Sequence, residues 1–68
     1  MINIKNFDNI YFYRPPIDFR KGIYGICAIV QDDMNLNPFE KYLFLFSNSK
    51  FNKLKALYWD KTGFALWI

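Results

Sequence analysis

Ile17-Asp18-Phe19-Arg20-Lys21-Gly22-Ile23-Tyr24-Gly25-Ile26-Cys27-Ala28-Ile29-Val30-Gln31-Asp32-Asp33-Met34 is the one segment of this 68-residue chain with helical spacing. Phe19, Ile23, Ile26, Val30 and Met34 recur every three or four residues and predict one buried stripe. Asp18 follows Pro15 and Pro16, which hold the backbone extended, so it is the natural N-cap of a helix running from about Asp18 to Met34. That assignment places Arg20 and Lys21 in the first turn, where the helix dipole disfavours cations by about 0.3–1 kcal/mol each. Free backbone N–H groups beside two cations would suit a phosphate or a carboxylate. The alternative is that Arg20 pairs with one of the chain's own acids while Lys21 stands in water. Gly22 and Gly25 weaken such a helix and are expected to let its backbone approach a sheet closely.

Outward from this segment the pattern changes to strands. Ile10 to Tyr13 predicts a first strand, stopped by Arg14-Pro15-Pro16, and Tyr42 to Phe46 a second, strongly apolar one. Ser47 to Asn52 reads as a polar loop and Lys53 to Trp59 as a third strand. Asp60-Lys61-Thr62-Gly63 is a hairpin turn, in which Gly63 is expected to take positive φ, and leads to a fourth strand from Phe64 to Ile68. Strand, helix and a three-strand meander predict an α+β fold, with one long helix packed on a four-stranded, mainly antiparallel sheet.

Alternation assigns the faces of the third strand. Leu54, Ala56 and Tyr58 share one side; Lys53, Lys55, Leu57 and Trp59 share the other. A lysine in mid-strand suggests a wet face, so the helix is expected on the first side and a basic, aromatic platform on the second. Such platforms stack nucleic-acid bases, although the same aromatics could complete a second small core or a homodimer interface.

Composition narrows the classes. The length allows one small domain, and a chain this short buries only about 60% of its unfolded surface. Apolar residues at 53% and aromatics at 22% exceed what so small a core encloses, so some must be exposed or covered by a partner, with a homo-oligomer expected. The net charge of +3 is compatible with an anionic partner. Cys27 is the only cysteine, which rules out an internal disulfide, and no stretch reaches the roughly 20 apolar residues of a membrane span; a cytoplasmic protein is expected. Without histidine there is no Ser-His-Asp or Cys-His site, and adjacent Asp32 and Asp33 would diverge by about 100° on a helix, a poor two-metal pair. Neither an enzyme nor a cofactor or metal is expected.

Several segments carry a family resemblance. Asp18-Phe19-Arg20-Lys21-Gly22-Ile23-Tyr24-Gly25, with Asn37-Pro38-Phe39, Leu43-Phe44-Leu45-Phe46, Asn48, Lys55-Ala56-Leu57-Tyr58-Trp59-Asp60 and Thr62-Gly63-Phe64, resembles the TnpB-type accessory proteins of the insertion sequence sixty-six family. The resemblance runs from about Ile10 onward. It implies a small noncatalytic companion of a transposase, unrelated to the RNA-guided nucleases that share the TnpB label. In those relatives the loop equivalent to Ser47-Asn48-Ser49-Lys50-Phe51-Asn52-Lys53 is rich in arginine, so much of its phosphate-binding charge is missing here. Relatives also continue past the fourth strand into a basic segment, which implies a C-terminally shortened copy.

The expected function is that of an accessory protein for DNA transposition, binding transposon ends through phosphates, the transposase, or both. Candidate nucleic-acid contacts are Arg20, Lys21, Lys50, Lys53 and Lys55, with Trp59 as a stacking surface. The alternatives are a protein-interaction or self-association module without DNA binding, and an inert remnant that still folds.

Overall fold

In the computed structural model, which describes residues 3–67, the chain forms a short 3-10 turn over Ile4–Asn6 and then β1 (Asn9–Ile17). The helix α1 (Ile23–Ala28) widens into a π-helical turn over Ile29–Asp33, and β2 (Tyr42–Asn48), β3 (Leu54–Asp60) and β4 (Gly63–Trp67) follow. The sheet order is β1-β2-β3-β4. Ile68, the last residue of the expected fourth strand, lies outside the described residues.

Two expectations about the fold are overturned. The sheet is mixed: β1 pairs with β2 in parallel, whereas β2–β3 and β3–β4 are antiparallel. The helix between β1 and β2 is a crossover that returns the chain to the same end of the sheet and so makes that pair parallel, whereas the short loops after β2 and β3 reverse the chain into antiparallel neighbours. The helical segment is also short, 11 residues rather than the 17 of Asp18 to Met34. Asp18 does not start it. Its carboxylate accepts the Arg20 N–H at 2.9 Å and its carbonyl accepts the Lys21 N–H at 2.9 Å, which makes Asp18 to Lys21 an independent turn. The helix begins after Gly22, whose backbone is extended and whose carbonyl takes the Ile26 N–H at 3.1 Å. Both cations therefore precede the helix and avoid its dipole. At the other end Met34 N–H bonds to Ile29 O at 3.0 Å, a five-residue step, and Asn35 at φ 54° ends the helix.

The apolar stripe holds. Ile26 and Val30 are fully buried, and with Cys27 and Ile17 they pack on Phe44, Phe46 and Leu57, while Phe19, Ile23 and Met34 close the margins. Each such large side chain gains roughly 1.5–3 kcal/mol of transfer free energy on burial. β1 runs through Arg14-Pro15-Pro16, and its register with β2 breaks between Tyr13 and Ile17. An edge strand tolerates prolines because one side of its backbone needs no ladder.

The face assignment is reversed. Lys55 and Leu57, not Leu54 and Ala56, point to the helix side, together with Phe44 and Phe46. The other face carries Ile10, Phe12, Leu45, Leu54 and Trp67, and four of these are about half exposed. The 3-10 turn covers one end of it, where Phe7 meets Tyr58 edge-on at 5.5 Å. Two glycine expectations also fail. A Cβ on Gly25 would meet only the Lys21 side chain, and one on Gly22 would meet nothing, so neither serves close approach to the sheet. Gly63 does not take positive φ, and Lys61 and Thr62 make the hairpin turn.

Candidate nucleic-acid interface

The parallel pairing brings the carboxyl ends of β1 and β2 together, Ile17 beside Asn48. Beyond them a shallow groove separates the Asp18–Lys21 turn from the loop joining β2 to β3. Arg20 enters it from one wall, and Lys50 and Lys53 from the other. Cations some thirty residues apart in sequence thus gather at one end of the sheet. They face one carboxylate, Asp18.

Asp18 engages Arg20 closely. The guanidinium donates through Nη2 to Oδ2 at 2.7 Å and through Nε to both carboxylate oxygens at 3.0–3.1 Å. These bonds pull the Asp18 carboxyl down to about 2 and raise Arg20 further above its usual range. The pair is solvent-exposed, with the Arg20 side chain 92% accessible, so water screens it and the guanidinium keeps open directions. Arg20 to Asp18 is the only ion pair among the described residues, and the ammonium groups of Lys50 and Lys53 are unpaired.

The opposite wall is held by Asn48. Its Oδ1 accepts the N–H of Asn52 at 3.0 Å and of Lys53 at 3.1 Å, and its Nδ2 donates to Asn52 Oδ1 at 2.7 Å. Phe51 N–H bonds to Asn48 O at 3.0 Å, leaving Phe51 at φ 55° with its side chain largely in solvent. Neither the clamping role of Asn48 nor the exposure of Phe51 was evident from residue types, although an isolated aromatic inside a polar loop was a readable signal.

The remaining candidates lie elsewhere. Lys55 is 4% exposed; its Nζ donates to the Phe19 carbonyl at 2.7 Å and lies 4.9 Å from the Phe19 ring centre. It ties the groove's first wall to β3. Lys21 is exposed but stands outside the groove, its stem along Gly25. Trp59 sits at the far end of β3, about 20 Å along the strand from Lys53 by the usual rise per residue. There it packs edge-on against Phe39 at 4.9 Å and Phe64 at 5.0 Å. A second cleft at that end mixes Lys5, Lys41 and Lys61 with Asp8 and Asp60. No set of three metal-ligating side chains occurs among the described residues.

The sequence comparisons decide the family. The family described as IS66 Orf2-like protein matches residues 8–68. The chain belongs to it. A curated relative, the uncharacterized protein y4jC of Sinorhizobium fredii (strain NBRC 101917 / NGR234), is 33% identical over 51 residues, which is 75% of this chain and 44% of the relative. The chain thus spans less than half the length of that relative. No solved structure matches. Membership in the IS66 Orf2-like family connects the chain with insertion sequences and with a transposition-associated accessory role, and the family is not a known class of enzyme. No helix among the described residues is long and apolar enough to cross a membrane.

Proposed function

We propose that this IS66 Orf2-like protein binds transposon DNA through its phosphates, at the groove between the Asp18–Lys21 turn and the Asn48–Lys53 loop. The observation that carries this reading is the convergence of Arg20, Lys50 and Lys53 on one groove with a single opposing carboxylate. Phosphate contacts of this kind position a protein on DNA without reading sequence. Lys21 lies close enough in the chain to extend the footprint, whereas Lys55 acts by holding the wall that bears Arg20. The test is binding of a labelled duplex between about 50 and 200 mM salt. The double variant K50Q/K53Q is expected to flatten the log-log salt slope by about 1.8, since each phosphate contributes roughly 0.9. The control K5Q/K61Q, altered at the other end, is expected to keep the wild-type slope. Equal slopes for wild type and K50Q/K53Q would remove the groove from the reading.

A second reading concerns partners. The uncovered sheet face, with Phe12, Leu54 and Trp67 half exposed, favours self-association through that face alongside DNA binding.

A further inference from the structure

Phe51 is the residue that the fold itself does not explain. A positive φ is uncommon for any residue with a Cβ and a genuine outlier for a bulky one. Asn35, the other non-glycine residue with positive φ among the described residues, is of a type that tolerates it; phenylalanine is not. Asn52, an adjacent residue of the tolerant type, does not take the conformation. The strained residue gains nothing by packing either. Its side chain is 66% exposed, and its ring makes no contact with another ring among the described residues. Asn48 holds the loop in this shape through both its own side chain and its carbonyl. Phe51 directly follows Lys50 and precedes Lys53 by two residues in the loop that forms the groove's second wall. It is not itself a lining residue, so it stands outside the groove beside these two unpaired cations.

From this we infer that Phe51 is a stacking residue for an unpaired base beside the groove, making the Asn48–Lys53 loop and the groove it borders a site for single-stranded or opened DNA rather than for intact duplex alone. The inference rests on the phosphate-binding reading above and names its substrate class. Non-specific single-strand sites combine a cationic track along the backbone with aromatic rings on which bases stack, and any base serves because each has a π-face. Within a closed duplex both faces of a base are already stacked, so an exposed ring finds a partner only where a base is free or the duplex is opened. Backbone strain at Phe51 fits this use, because it fixes a hydrophobic ring in water before the ligand arrives. The stacking role expected of Trp59 is here proposed for Phe51, which shares a loop with Lys50 and Lys53, whereas Trp59 packs against Phe39 and Phe64 and lines the other cleft, where Asp8 and Asp60 stand beside the lysines.

The experiment compares the affinity of wild type, F51A, F51G and F51W for a mixed-sequence single strand and for its duplex, at one salt concentration and as a salt series. F51A is expected to lose about 5- to 150-fold in single-strand affinity, the range for removal of one base-stacking ring. Its salt slope should stay at the wild-type value, and its duplex affinity should change less than twofold. F51W should keep wild-type single-strand binding. F51G relieves the left-handed backbone, so it should melt no lower than wild type and bind the single strand as poorly as F51A. Single-strand binding by F51A as tight as wild type would overturn the inference, as would an equal loss on both DNAs. If K50Q/K53Q leaves the salt slope intact while F51A still loses single-strand affinity, the phosphate reading falls and stacking stands. If wild type binds neither DNA, both fall.

Discussion

At the scale of single residues, Lys55 shows how a charge pattern misleads. A lysine in mid-strand ordinarily marks the wet side, and that expectation inverted the sheet. A long aliphatic stem can cross the core and deliver its ammonium to a carbonyl at the margin, here that of Phe19. No spacing rule in the sequence announces such a partner 36 residues away. Replacing Lys55 with Ala removes both the buried stem and a charge-assisted bond, an expected loss of about 2–4 kcal/mol. A domain of this size has only about 3–10 kcal/mol in total. Urea titration should therefore show K55A with a much lower midpoint, whereas K50Q, exposed in the loop, should stay within about 0.5 kcal/mol of wild type. A midpoint for K55A equal to that of K50Q would contradict the anchoring role.

At the scale of elements, legibility followed the strength of each local signal. The stripe of Ile23, Ile26, Val30 and Met34 placed the helical core correctly because large apolar side chains at helical spacing have one way to be buried. The helix start was misread because an Asp after prolines serves an N-cap and an Asx turn equally well, and only the extended backbone of Gly22 distinguishes them. Parallel pairing of β1 with β2 was implicit in the strand-helix-strand order, yet the following meander drew the whole sheet toward an antiparallel reading. The groove's cations were legible by type, but their meeting depended on that parallel pairing. Gly25 now supports a prediction opposite to the close-approach idea. The three atoms nearest a methyl group there, from 3.3 Å outward, all belong to the flexible stem of Lys21, which can give way by a few tenths of an ångström. G25A should therefore stabilise the helix by about 0.5–1 kcal/mol. In a domain this small, each kcal/mol is read as a rise in melting temperature of about 4–8 °C. A fall in melting temperature would mean that helix and sheet are in closer contact than the structure shows.

At the scale of the whole molecule, one face of the sheet is covered by the helix and the other, whose Leu43 and Ala56 are buried, leaves Ile10, Phe12, Leu54 and Trp67 about half exposed. Register aligns Phe12, Leu45, Ala56 and Trp67 in one row across all four strands, roughly 14 Å wide at the usual strand spacing. Alternation places no charged side chain in this row or at the neighbouring Ile10 and Leu43 positions, and Arg14 and Asp60, which it puts toward the same side, lie at the margins, so two copies could meet through the central row without opposing like charges there. Sheets pack in this way about 10 Å apart, with inward side chains interdigitated. The expected behaviour is concentration-dependent self-association, measured by sedimentation velocity and insensitive to added salt because the contact is apolar. Phe12→Lys sets two cations against each other across any symmetric pairing of these faces. It should shift the population to monomer while leaving the fold intact, since Phe12 lies on an edge strand and is 51% exposed. DNA binding provides the contrast, because the groove lies beyond the carboxyl ends of β1 and β2 rather than on this face. F12K should bind the same DNA with an unchanged salt slope. Wild-type protein that stays monomeric at high concentration would refute the pairing, and loss of DNA binding in F12K would show that the groove needs the assembled form.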